Sequence, residues 1–142
     1  MEVGSLTSEI INLKSRAAAA MVRHAREAVP DECCGVLLGR GDEIAEALAA
    51  RNIAEQPAAR FVIDPHDHIA GRRDARARGL DVVGFYHSHP RSAPEPSVRD
   101  LDEFTYPGHL YAIVSLRVEP AEVALFRFDA GNFQRVSFVT VG

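Results

Sequence analysis

Short segments that are apolar or alternate in polarity recur through most of this chain, and turn-forming residues separate them. Segments of this kind are typical of β-strands. We predict strands at residues 6–13, 33–38, 44–49, 61–63, 81–87, 110–116, 123–128 and 133–139. So many short strands require a sheet, and the chain must bury that sheet against something else.

Helical segments interrupt this series of strands. Ser15 is a candidate N-cap for a helix that ends before Pro30. Asp64 followed by Pro65 predicts a second helix, because Asp caps helices well and Pro fits the first helical position. Ser97 with Asp100 three places later resembles a capping box and predicts a short helix. The fold class is therefore α+β or mixed α/β, in a single domain over residues 1–142.

Charge and cysteine content exclude several classes of protein. The chain carries 20 acidic and 16 Lys or Arg residues, for a net charge of −4, so no nucleic-acid or membrane partner is expected. Its two cysteines, Cys33 and Cys34, are adjacent and cannot crosslink distant segments. Residues 1–16 include two acids and no apolar run of signal-peptide length. These features favour a cytoplasmic protein.

Three residues have the chemistry and spacing of a metal site. His87 and His89 lie two places apart at the end of a predicted strand, so both imidazoles point to the same side. The predicted helix at Ser97 can bring the carboxylate of Asp100 back to them. Two imidazoles and a carboxylate form a three-ligand zinc site with a fourth position open for water, which is typical of catalytic zinc.

The segment from His87 to Asp100, HSHP followed by SVRD, resembles the signature of the JAMM (MPN+) zinc metallopeptidases. Glu32 stands where that family has a glutamate, after the first helix and at the start of a core strand. The resemblance covers nearly the whole chain. It implies the MPN fold (JAB1/MPN, cytidine-deaminase-like), with a curved, mostly antiparallel sheet flanked by helices.

The resemblance also implies a role for each residue. His87, His89 and Asp100 would hold one Zn²⁺ per chain, and Glu32 would be the general base on the bound water. Ser97 would donate a hydrogen bond to the oxygen that becomes negative in the transition state. Two neutral imidazoles and one carboxylate leave the site with a net charge of +1, which favours a developing oxyanion.

JAMM enzymes cut peptide or isopeptide bonds after the C-terminal Gly-Gly of ubiquitin-like proteins. Residues 20–37 resemble the small prokaryotic members that release cysteine from a ubiquitin-like sulfur carrier of the ThiS/MoaD type. The first hypothesis is therefore a peptidase that hydrolyses a carrier–cysteine adduct. One alternative is a broader isopeptidase that removes ubiquitin-like modifiers from lysines, and another is a non-catalytic MPN scaffold. A zinc deaminase is excluded, because the chain lacks the H-x-E and P-C-x-x-C motifs.

Other residues have simpler interpretations. His66 and His68 repeat the His-x-His spacing near a helix start, where the two side chains diverge, so we expect a solvated helix face. Cys33 and Cys34 are expected in the core. Residues 136–141 could close the sheet or join a dimer, which leaves the oligomeric state open. An arginine run on the second predicted helix is expected to be solvated or to contact an acidic partner: Arg72, Arg73, Arg76 and Arg78.

Overall fold

A computed structural model describes residues 3–4, 9–97 and 106–142. Within these residues the chain forms two helices and eight strands. In chain order they are β1 (Val3–Gly4), β2 (Ile10–Lys14), α1 (Ser15–Ala28), β3 (Cys34–Arg40), β4 (Glu43–Ala50), α2 (Pro65–Ala77), β5 (Asp81–His89), β6 (Leu110–Ser115), β7 (Glu122–Asp129) and β8 (Asn132–Val141).

The strands form one curved sheet in the order β1-β8-β2-β4-β3-β5-β6-β7, and β7 also pairs with β8. β8 makes this closure by changing partner along its length. Its first part, through Val136, pairs with β7, and its second part, from Ser137, pairs with β2. Residues 137–141 therefore close the sheet within the chain. Among the described strands, four pairings are antiparallel and four are parallel, so the sheet is more mixed than predicted.

Both faces of the central strands are buried, because successive side chains alternate between two hydrophobic clusters. In β3, Leu37 belongs to the first cluster, which also contains Met21 of α1. Val36 belongs to the second cluster, together with Ala75 of α2. The sheet is thus flanked by helices, as expected for the mixed α/β class. Neither described helix has the length and apolar character needed to cross a membrane.

Of the three predicted caps, the two whose helices are described have different outcomes. The cap of α2 is confirmed, since the Asp64 carboxylate accepts a hydrogen bond from the backbone N–H of His66 at 2.8 Å. The cap of α1 is wrong, because Lys14 precedes that helix and its side chain makes no cap bond. The Ser15 hydroxyl instead donates to the Val141 carbonyl of β8 at 3.2 Å, which ties α1 to the sheet.

The predicted strand at residues 61–63 is also wrong. Of these residues, Ile63 makes an isolated bridge to Asn52, and no strand is formed there. The reason is local, because the backbone N–H of Val62 donates to the side-chain oxygen of Asn52 at 3.0 Å and not to a neighbouring strand. The segment is an ordered loop that packs Phe61 into the second cluster.

β5 is an interior strand of the sheet and ends at His89. It pairs with β3 on one side and with β6 on the other. The β6 side requires a glycine, because a Cβ atom added at Gly84 would overlap the backbone carbonyl of Leu110. The absence of a side chain at Gly84 therefore permits the close approach of β5 to Leu110 of β6.

We predict that Gly84→Ala destabilises the protein by about 1–3 kcal/mol, because the new methyl group meets backbone and not a movable side chain. Urea denaturation measures the change. Asp81→Ala, at the exposed first residue of β5, is the matched control and should change stability by less than about 0.5 kcal/mol. Equal stability of Gly84→Ala and the native protein would contradict the close approach of β5 to Leu110.

Candidate active site

The two histidines at the end of β5 face each other. His87 and His89 are both buried, and their Nε2 atoms lie 3.1 Å apart. The ring of His87 stacks on Phe61, with centroids 4.3 Å apart and an angle of 18° between planes. The structure thus brings the predicted His pair together, with both imidazoles on the α2 side of the sheet.

A backbone contact sets the orientation of His89. Its Nδ1 lies 2.7 Å from the carbonyl oxygen of Ala93. A carbonyl only accepts, so the proton of a neutral His89 is on Nδ1 and the lone pair of Nε2 points toward His87. A histidine that donates one ring N–H to a backbone carbonyl and presents the other nitrogen is typical of metal ligands.

The spacing of the pair fits zinc. Two nitrogen ligands at about 2.0–2.1 Å from a tetrahedral ion lie about 3.3 Å apart, close to the 3.1 Å between the two Nε2 atoms. Asp100, the predicted third ligand, lies outside the described residues, as does most of the predicted helix that begins at Ser97. Within the described part of the chain, no group of three or more candidate metal-binding side chains occurs. Ser97 is exposed at the end of its described segment.

Glu32 is placed across from the His pair by an extension of the β3–β5 pairing. The regular register ends at Cys34 opposite His87. One residue further, the N–H of Cys33 donates to the Ser88 hydroxyl at 2.8 Å, and the N–H of Ser88 donates to the Cys33 carbonyl at 3.1 Å. The next pair in this sequence is Glu32 and His89, and residues opposite each other in antiparallel strands share a face.

Asn52 fixes the backbone at Glu32. Its side-chain N–H₂ donates to the carbonyls of Glu32 at 2.9 Å and Arg60 at 3.0 Å. Its side-chain oxygen accepts from the N–H groups of Ala54 at 3.1 Å and Val62 at 3.0 Å. The half-buried side chain of Asn52 therefore ties the start of β3 to the loop before α2. Neither Asn52 nor Ser88 was identified from the sequence, because their partners are distant along the chain.

Two clefts meet at Glu32. The smaller has a volume of about 220 Å³ and is lined by Glu32, Arg91 and small or proline side chains. The larger, of about 550 Å³, lies near the end of α1 and includes Glu27, Asp31 and Arg51. Glu32 therefore borders two spaces of different size and charge.

The two cysteines are buried and free. Burial is the main cause that raises the pKa of Cys33 to about 11 and that of Cys34 to about 12. Both thiols therefore stay protonated at neutral pH, so neither is an activated nucleophile. Their expected place in the core is confirmed.

The second His-x-His pair diverges as expected, but one member is not solvated. His66 is exposed, whereas His68 packs edge-on against Phe85 with ring centroids 5.1 Å apart. Its Nε2 accepts a hydrogen bond from Arg72 at 2.9 Å. The arginine run is exposed as predicted, and within it Arg78 pairs with Asp74 and Glu46.

Comparisons with known proteins identify the family of this chain. The family model described as prokaryotic homologs of the JAB domain matches residues 14–129. The chain belongs to this family. It is 36% identical over 116 residues to a desampylase of Haloferax volcanii, covering 78% of this chain and 84% of the relative. It is 34% identical over 99 residues to the CysO-cysteine peptidase of Mycobacterium tuberculosis, covering 69% and 68%.

A solved structure shows the same architecture. The chain matches protein DSY2949 of Desulfitobacterium hafniense with a TM-score of 0.84 and 28% identity, over 94% of this chain and 93% of that one. The predicted JAB1/MPN fold is confirmed. The chain is a JAMM-type hydrolase, because it has the JAB family fold and its relatives are named a desampylase and a peptidase. The scaffold alternative is therefore set aside.

We predict that Asn52→Asp destabilises the protein by about 1–3 kcal/mol, because the variant keeps the accepting oxygen but loses the N–H₂ donor to two carbonyls. Chemical denaturation measures the effect. Asn132→Asp, at the exposed start of β8, makes the same chemical change as a control and should cost less than about 0.5 kcal/mol. An equal effect of both variants would show that the Asn52 contacts contribute nothing.

A second prediction concerns pH. His24 Nδ1 lies 2.8 Å from the Tyr86 hydroxyl, and burial is the main cause that lowers the pKa of His24. In the unfolded chain His24 therefore binds a proton more readily than in the folded protein. The stability that neutral His24 contributes to the folded state is lost as the pH falls below about 6.5. We expect the free energy of unfolding to rise between about pH 5 and 7, with a shallower rise in His24→Gln. His66→Gln, at an exposed histidine, should leave the slope closer to that of the native protein.

Proposed function

We propose that this chain is a zinc metallopeptidase that hydrolyses the bond after the C-terminal Gly-Gly of a ubiquitin-like sulfur carrier, releasing cysteine from a carrier–cysteine adduct. The observation that carries the proposal is the buried His87–His89 pair, whose Nε2 atoms face each other at 3.1 Å beside the start of β3. One zinc ion per chain would be held by His87, His89 and Asp100. Their donor types fit a catalytic zinc with an open position.

When bound, such an ion supplies activation of a water molecule and polarisation of the scissile carbonyl. The protein's own groups provide proton transfer and orientation. Glu32, across from His89, accepts a proton at its carboxylate and delivers it to the nitrogen of the leaving group. Ser97 donates a hydrogen bond to the oxygen that gains negative charge.

The substrate class is supported by two independent features. The relative named CysO-cysteine peptidase indicates a cysteine leaving group for the proposal. The two clefts that Glu32 lines leave space for a substrate beside the proposed general base. A Gly-Gly tail suits a narrow approach, because it has no side chains to clash with the walls.

We further propose that residues 1–142 are one domain in a reducing, cytoplasmic compartment. The pairing of β1 and β2 with β8 supports a single domain, because segments from both ends of the chain join one sheet. The free, buried cysteines support a reducing compartment.

A broader isopeptidase acting on lysine-linked modifiers is the second candidate. The larger cleft favours it, because Glu27 and Asp31 would stabilise the lysine ammonium that forms when the isopeptide bond is cut. Arg51 offsets these acids little, since it pairs with Asp64 and Asp67.

We predict that Glu32→Gln reduces kcat by at least about 100-fold, because the amide cannot accept the proton that general base catalysis requires. Zinc content should not change, since Glu32 is not a proposed ligand. An intact-mass time course with a carrier extended by one cysteine measures the loss of that residue, and metal analysis of the same sample measures zinc.

His87→Ala is the companion variant and should lose both zinc and turnover. Turnover retained in Glu32→Gln would exclude Glu32 as the base. Zinc bound by the native protein without cleavage of cysteine-extended or lysine-linked carriers would exclude the proposed substrate class.

A further inference from the structure

The smaller cleft carries one positive and one negative group. Of its lining residues, only Glu32 and Arg91 are charged, and the others are Pro30, Ala58, Pro90 and Ser92. Its volume of about 220 Å³ is below the usual range for drug-sized ligands and is suited to one small residue. The two charges therefore define what kind of group the cleft accepts.

Two hydrogen bonds fix the backbone directly after Arg91. The Ser92 carbonyl accepts a hydrogen bond from the Ser115 hydroxyl at 2.5 Å, and the Ala93 carbonyl accepts from His89 Nδ1 at 2.7 Å. Ser115 is itself paired with His89 across β5 and β6. Arg91 thus extends from an ordered turn directly after the histidine pair.

The guanidinium of Arg91 is available to an external anion. Arg91 is exposed, and among the described residues no carboxylate forms an ion pair with it. Arg51 in the larger cleft differs, because Asp64 and Asp67 already hold it. The two clefts consequently present opposite preferences, the smaller for an anion beside Glu32 and the larger for a cation.

We infer that Arg91 binds the α-carboxylate of a single amino acid attached after the carrier's C-terminus, and that the enzyme therefore acts on adducts whose leaving group is a free amino acid. This inference rests on the proposed function. In such an adduct one carbon separates the scissile nitrogen from the α-carboxylate. A single amino acid in the cleft can therefore present its nitrogen to Glu32 and its carboxylate to Arg91. A planar guanidinium matches a carboxylate with two parallel hydrogen bonds.

The reaction balances without any further reactant. Hydrolysis breaks the amide C–N bond, water adds its hydroxyl to the carrier's carbonyl carbon, and its proton goes to the nitrogen through Glu32. The product amino acid carries an ammonium and a carboxylate, which match the two charges of the cleft. A lysine side chain in an isopeptide bond has no carboxylate near its nitrogen, so it gains nothing from Arg91.

Two substrates that differ in one group test this inference. A ubiquitin-like carrier ending in Gly-Gly-Cys is compared with the same carrier ending in the cysteine carboxamide. We expect the native enzyme to favour the free carboxylate by about 10–30-fold in kcat/KM, mainly through KM, as for loss of one charge-assisted contact. Arg91→Ala should remove this preference by slowing only the carboxylate substrate, and Arg91→Lys should restore part of it.

Arg73→Ala, at an exposed arginine of α2, is the control and should retain the full preference. Equal cleavage of both substrates by the native enzyme, or an equal loss on both in Arg91→Ala, would overturn the inference. A lysine-linked conjugate is the third substrate. If the native enzyme cleaved the lysine-linked conjugate and neither of the other two substrates, the role of Arg91 would be overturned and the isopeptidase favoured.

Binding provides a readout that does not depend on turnover. In the Glu32→Gln background, the carrier with the free carboxylate should bind more tightly than its carboxamide, and Arg91→Ala should abolish the difference. Absence of that difference overturns the inference even where cleavage is seen. Failure of the native enzyme to cleave any of the three substrates, with the binding preference intact, overturns the proposed function and leaves the carboxylate site standing.

Discussion

The hydrogen-bond pair between Cys33 and Ser88 is the contact on which the site depends. Regular pairing of β3 with β5 ends at Cys34 and His87, and the Ser88 hydroxyl then replaces a backbone acceptor for the Cys33 N–H. Glu32 and His89 are thereby brought opposite each other, although they lie beyond the last regular pair of β3 and β5. Asn52 holds the Glu32 carbonyl from the other side. These hydrogen bonds bring the residue that carries the carboxylate next to the strand that carries the two imidazoles, although the two lie far apart in the sequence.

β5 can carry this site because its two faces pack against different parts of the protein. Tyr86 packs in the cluster beneath α1 and contacts His24. Phe85 and His87, on the other face, point toward α2, and Phe61 stacks on His87. The polar ends of the strand are thus supported by apolar contacts on both sides. Such support limits rotation of the imidazoles, which is what a metal site requires of its ligands.

Local patterns in the sequence predicted most elements and the His pair. The alternation of β5 places His87 and His89 on one side, and Asp64 with Pro65 begins α2 where the pattern indicates. Contacts that join distant residues were not predictable in the same way. The Ser15 hydroxyl bonds to β8 and does not cap α1, and the Asn52 side chain takes the N–H of Val62 that a strand would have used. In both cases the hydrogen-bond partner of a polar side chain lies too far along the chain to be predicted from the neighbouring residues.

The two clefts that Glu32 lines differ in charge. Arg51 could have neutralised the larger cleft, but the start of α2 supplies Asp64 and Asp67, which hold it. The acids of that cleft therefore keep their negative potential. Arg91 has no such partner among the described acids and stands on a turn tied to β6. The smaller cleft thus carries an arginine that no described acid holds, whereas the larger cleft keeps its acids. Under the proposed function, this difference in charge would select the leaving group.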